Sequence, residues 1–218
     1  MNIKAKVDKL AVIALLVLTG CSFNSVTVSF PVQSSADTDV NGPYQFDGPP
    51  IIQGTLSGIL DTDLSGFGIR LEQRSFDKSV GIELRQSSFD AAGQIILTVE
   101  PPTQAYQADY QADAKGLELG IPMRLYIDQK PSAAFVEINP RYGFGFKQDD
   151  FESDPYLILS AGLGYHIASG ERFFFEIATY YYQTITDADV IYLGDDFSAD
   201  LSFDYSGQEI VLSCGFFF

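Results

Sequence analysis

Five of the chain's six arginines, Arg70, Arg74, Arg85, Arg124 and Arg141, fall in segments that alternate apolar with polar residues, and each sits on the polar phase. In Phe67-Gly68-Ile69-Arg70-Leu71-Glu72-Gln73-Arg74 the greasy side chains take the odd positions. Val80-Gly81-Ile82-Glu83-Leu84-Arg85 repeats the arrangement on the even ones. A period of two belongs to β-strands, whose side chains alternate between two faces. On the same polar phases stand Glu72, Glu83, Glu118, Glu137 and Glu176, nearly one for each arginine. A soluble sandwich scatters charge over its wet face and needs no such balance, whereas a closed lumen must pair any charge that it buries. The pattern therefore predicts an all-β chain forming an antiparallel up-and-down transmembrane barrel. Its apolar phase would face lipid, and a network of these ten side chains would fill its interior.

Eight strands are expected near residues 65–75, 79–87, 92–100, 115–127, 132–146, 155–167, 172–186 and 207–218. Outer-membrane barrels alternate short turns on one side with longer loops on the other. Ser88–Ala91, Asp128–Pro131 and Ala168–Glu171 read as short turns, and Pro101–Ala114, Lys147–Asp154 and Asp187–Ser206 as long Asp-rich loops. The connection Phe76–Lys78 is short where a long one is expected. An eight-stranded barrel is just wide enough to be filled by its own side chains, so no wide aqueous channel is expected.

The amino-terminal segment reads as a secretory leader. Leu10–Leu18 follows Lys4, Lys6 and Lys9 and is far too short to span a bilayer. Leu18-Thr19-Gly20-Cys21 resembles the bacterial lipobox. The resemblance implies cleavage after residue 20, lipidation of Cys21 and, with Ser22 next, sorting to the outer membrane. Of the chain's 13 basic and 29 acidic residues the leader carries three and one, so its removal deepens a net charge of −16 by two. So acidic a chain repels nucleic acid. Residues 21–64, rich in Ser, Asp, Gly and Pro, read as a lipidated periplasmic linker ahead of a barrel at 65–218, within which Val26–Phe30 and Ile51–Leu56 each have the makings of a short strand. Cys214 is left without a disulfide partner and is expected in apolar surroundings.

The last strand alternates Ile210, Leu212, Cys214, Phe216 and Phe218 against polar or small neighbours and ends on an aromatic residue. It resembles the carboxy-terminal signal read by the barrel assembly machinery, with Phe216 and Phe218 as the recognised side chains. Leu117–Tyr126, with its central Ile-Pro, resembles a strand of small outer-membrane barrels related to OmpA and OmpX. The resemblance implies an outer-membrane structural or surface-interaction protein without catalytic activity or cofactor. It would meet membrane lipid and, through its acidic loops, an extracellular partner. Two rival readings use the same residues. A lipid-A hydrolase would build a triad from His166, Ser160 or Ser169, and Glu176. A soluble lipocalin-like lipoprotein would put the charges outside and the apolar phase around a ligand. One histidine without a cysteine cluster supplies no zinc ligand set, and Asp149-Asp150 and Asp195-Asp196 lack EF-hand spacing.

Overall fold

The computed structural model describes residues 23–46, 51–75, 77–100, 104–128, 130–148, 151–186, 188–193 and 197–218. These form β1 (Ser25–Phe46), β2 (Ile52–Arg74), β3 (Lys78–Glu100), β4 (Gln104–Gly120), β5 (Met123–Tyr126), β6 (Ala133–Gln148), β7 (Phe151–Ser153), β8 (Tyr156–Ser169), β9 (Phe173–Thr186), β10 (Ala188–Leu193) and β11 (Phe197–Phe217), with no helix among the described residues. Pro122 has no N–H to give a ladder, so β4 breaks there and resumes as β5 against the same neighbours. In the same way β7 leads into β8, and β10 extends β9. The result is eight walls, each antiparallel to the next, closed by the pairing of β1 with β11. The expected up-and-down barrel is the observed one.

Ser25, the carboxy-terminal end of β11, and the strand ends on either side of the β2–β3, β5–β6 and β8–β9 connections lie at one end, here the near end. There the N–H of Phe218 donates to the carbonyl of Asn24 at 3.1 Å. The opposite end, where Phe46, Ile52 and Gln104 lie, is the far end.

Along each tall wall the polarity of the two faces changes places halfway. In β2 the even residues point inward from one end to the other. Near the turns they are Arg70 and Glu72 and the outward ones are Phe67, Ile69 and Leu71; toward the far end the inward residues are Leu56, Leu60 and Leu64 and the outward ones Asp61 and Asp63. β3 does the same, with Glu83 and Arg85 inward of Leu84, then Phe89 and Ile95 inward of Asp90. In β1 a bulge between Pro31 and Gln33 shifts the register by one residue. Such a shift flips the phase, so Thr27 and Ser29 face inward before it and Ala36, Thr38 and Val40 after it. The aspartates meet across the ladders: Asp37 opposite Asp61, Asp63 opposite Asp90, Asp90 opposite Asp113, and Asp39 opposite Asp204. They form an acidic belt above an apolar one.

Several expectations are corrected. Residues 25–46 and 52–64 are barrel wall, not linker, because their Asp, Ser and Gly residues alternate with Ala, Val and Leu that fill the far half. Ser88–Ala91 is no turn; it lies inside β3, where Phe89 faces the interior and Asp90 the outside. Phe76 lies outside the described residues; the β2-to-β3 connection follows two walls rather than one, which is where a short connection is due. Much of Pro101–Ala114 and Asp187–Ser206 is strand as well. The number eight survives because one wall was missed and another was divided. Cys214 is a free thiol exposed on the outward apolar face rather than hidden. The leader, Cys21 and the Asp149-Asp150 and Asp195-Asp196 runs lie outside the described residues.

Candidate functional site

The near half of the interior is a continuous ionic plug. Arg70 on β2 donates to both oxygens of Glu137 on β6, at 2.9 and 3.0 Å, and to Glu83 on β3 at 3.3 Å. Arg124 on β5 donates through Nε to Glu137 and through Nη1 to Glu176 at 2.7 Å, and stacks on the Phe135 ring at 4.3 Å. Glu72 lies 3.8 Å from Arg70 and 3.6 Å from Arg124, and accepts from Ser79. Asn139 and Tyr180 give further hydrogen bonds to Glu83 and Glu137. Farther along, Arg85 forks onto Glu209 of β11, and Arg141 reaches Glu118 at 2.9 Å. Glu209 completes the set. Sequence reasoning missed it, although it lies on the polar phase of the last strand. Six walls thus converge on one another's charges, and the void left among them is about 20 Å³, room for a water molecule or so.

His166 is fully buried at the near end of this plug. Its Nδ1 lies 2.9 Å from Glu176 and its Nε2 2.6 Å from the Arg74 guanidinium. The carboxylate only accepts, so Nδ1 carries the hydrogen that it donates to Glu176, while the Arg74 Nη1 lies close to both ring nitrogens, 3.0 Å from Nδ1 as well. Arg74 therefore ends on the histidine rather than on a glutamate, and lies over the Tyr126 ring at 4.1 Å. Phe174 packs against the imidazole at 4.6 Å between ring centroids. The hydrolytic triad is not assembled, since Ser160 donates to the carbonyl of Asn139 and Ser169 is exposed. The lipocalin polarity fails in this half too: Arg124 is 3% exposed, and Leu125 beside it 61%.

Glycines make room for the large rings. Gly164 stands opposite Phe135, Gly162 opposite Tyr180, Gly143 opposite Tyr156 and Gly215 opposite Phe174. A Cβ at any of these glycines would lie within 2.0–2.3 Å of the facing ring. Each aromatic side chain thus lies flat across a neighbouring wall, which lets a narrow barrel hold it.

The far half has the opposite chemistry. Leu60, Phe89, Phe146, Leu201, Phe203 and Tyr205 form a buried apolar cluster, in which Phe89 meets Phe146 edge-on at 4.4 Å. Ala91, Ala112 and Ala114 are too small to complete it. Between them and the rings lies a cavity of about 50 Å³ whose lining is almost wholly apolar. The sequence carried a signal for it in Ala108-Asp109-Tyr110-Gln111-Ala112-Asp113-Ala114, which alternates cleanly; its Asp and Gln content made it read as a loop.

No protein-family model matches the sequence, and no curated protein sequence matches it either. Solved structures do share its shape. The outer membrane protein OprG from Pseudomonas aeruginosa superposes with a TM-score of 0.57 at 11% identity, over 91% of this chain and 98% of its own. The outer membrane protease OmpT from Escherichia coli gives a TM-score of 0.44 at 8% identity, over 91% and 99% of the two chains. The outer membrane protein AlkL gives 0.44 at 11% identity, over 91% and 93%. The likeness to OprG is one of fold: an all-β outer-membrane barrel.

Proposed function

We propose that this protein is a non-conducting barrel of the bacterial outer membrane, acylated at Cys21, that acts at the cell surface without catalysing a reaction and holds a small apolar molecule in the cavity of its far half. The observation that supports this reading is the exchange of polarity midway along the walls. Below it, outward Ile, Leu and Phe suit hydrocarbon while the interior is closed by paired charges. Above it, the aspartate belt suits only water, and the interior is apolar. Val26 to Val32 on β1 covers about 20 Å of strand, or about 15 Å of height at a barrel's usual tilt, which is the greater part of a lipid-facing band. Short turns lie on the periplasmic side of such barrels, so the near end faces the periplasm and the cavity the outside.

Conductance and binding test the two halves separately. In planar bilayers the refolded barrel should pass no steady current, because charges packed this closely leave no aqueous path. Xenon, an apolar probe small enough for a cavity of about 50 Å³, should bind with one-to-one stoichiometry as read by its NMR shift, and Ala112→Phe, which fills the cavity, should abolish that binding while the barrel still folds. Binding unchanged by Ala112→Phe and by a second filler, Ala91→Leu, refutes the ligand reading. A second reading, a surface that meets a cationic partner, is supported by the belt of Asp37, Asp61, Asp63 and Asp90 on the walls.

A further inference from the structure

The barrel's first strand begins almost at the lipobox. Asn24, the residue before β1, is held by four hydrogen bonds: its N–H donates to the carbonyl of Glu72 at 2.9 Å, and its carbonyl accepts from Phe218 at 3.1 Å. Its side chain closes a ring with the main chain of Arg74, donating to the carbonyl at 2.9 Å and accepting from the N–H at 2.9 Å. Asn24 is thereby fixed on the near rim between β2 and β11. Cys21 lies three residues upstream, so its α-carbon stays within about 11 Å of that point however the chain runs. An acyl group on its sulfur has no span to cross and enters the membrane beside β1.

What it meets there is the seam where the first wall joins the last. β1 turns Val26, Val28 and Phe30 outward, with Leu71 of β2 on one side and Phe216 of β11 on the other; Val26 is directly opposite both. From Val26 to Phe30 the strand runs about 13 Å, or about 10 Å of height at a barrel's usual tilt, which lies within the ~15 Å of hydrocarbon in one leaflet. We propose that the acyl chains on Cys21 lie along this seam, against Val26, Val28, Leu71 and Phe216, and hold the end of β1 in the periplasmic leaflet until β11 arrives to close the ring. This rests on the reading that Cys21 is acylated. It also gives the modification a purpose that anchoring alone does not. A barrel with so broad an apolar belt is already fixed in the membrane, whereas β1, made first, cannot complete its pairing until the last strand is in place. Tying its end near that strand lowers the entropic cost of closing the ring.

The test uses the full chain in cells fed a photoreactive diazirine fatty acid, followed by mass spectrometry of the purified protein before and after illumination. The expected result is a mature chain acylated at Cys21 whose photoproducts join the acyl group to peptides covering residues 25–30, 69–72 or 210–217. An acylated chain that crosslinks only to lipid, or to distant walls such as those carrying Leu125 and Leu163, overturns the seam and leaves the acylation standing. A mature chain without the acyl group overturns both. As a second readout, a Cys21→Ala chain exported by an ordinary signal peptide should reach the same heat-modifiable barrel several-fold more slowly; equal rates overturn the role in closure.

Discussion

At the scale of single residues the interior resolves into pairs whose value depends on company. The bidentate pair of Arg85 and Glu209 bridges β3 and β11 with both partners almost wholly buried. Removing one charge strands the other in a low-dielectric site, so Arg85→Met or Glu209→Leu alone is expected to cost about 3–5 kcal/mol, whereas the double variant should cost far less than the sum. Urea unfolding in lipid vesicles, read by the heat-dependent gel shift, gives all three numbers. Additive losses would mean that the two side chains act independently. The arginines and most of their glutamates were legible in the sequence because charge of both signs, confined to the phase opposite a row of Ile, Leu and Phe, points to a polar interior. Which carboxylate each arginine takes was not legible, since the partners come from walls far apart in the chain. The acidic belt behaves oppositely. Asp90 faces Asp63 on one side and Asp113 on the other, and like charges directly opposite destabilise a ladder. Asp90→Asn should therefore raise stability, with a gain that shrinks as salt is added; a loss in low salt would show that the belt carries favourable contacts of its own.

At the scale of strands, the sequence was readable wherever the outward phase was apolar and failed where the strand left that zone. The near halves of β2, β3, β6, β8 and β9 keep one alternation of greasy and polar residues, and each was placed to within a few residues. The far halves of β1, β2 and β4 alternate just as regularly, but with aspartate, serine and glutamine on the outside, which by composition reads as loop. The bulge at Pro31 to Gln33 broke the period of β1 as well. The glycine and aromatic pairs add a constraint of register: Gly215 accepts the Phe174 ring, which is itself wedged between His166 at 4.6 Å and Phe217 at 4.7 Å. With the ring unable to retreat, Gly215→Ala should cost about 1–3 kcal/mol by overpacking. Phe174→Leu in the same background should recover part of it, and unfolding midpoints of the two variants decide the matter.

For the whole molecule the central matter is how much of the wall lies in lipid, and composition offers a clean probe, because the chain contains no tryptophan. A single tryptophan placed on the outward face reports its surroundings without background, and brominated acyl chains quench it only where it touches hydrocarbon. Phe67 and Leu125, 41% and 61% exposed, lie in the near half; Ile59 and Ile96, 63% and 47% exposed, lie in the far half beyond the aspartates. Exposed apolar area alone would put all four in lipid. The polarity of their surroundings separates them, since Ile59 shares its outward row with Asp61 and Asp63, whereas Phe67 shares it with Ile69 and Leu71. An ionised carboxylate within hydrocarbon costs several kcal/mol, more than a single isoleucine returns by entering it. Phe67→Trp and Leu125→Trp are therefore expected to be strongly quenched and blue-shifted in brominated vesicles, and Ile59→Trp and Ile96→Trp to be unaffected by bromine yet quenched by aqueous iodide. Equal quenching of all four by bromine would place the aspartate belt inside the bilayer, and the division of the barrel into a charged core within the membrane and an apolar core outside it would then be wrong.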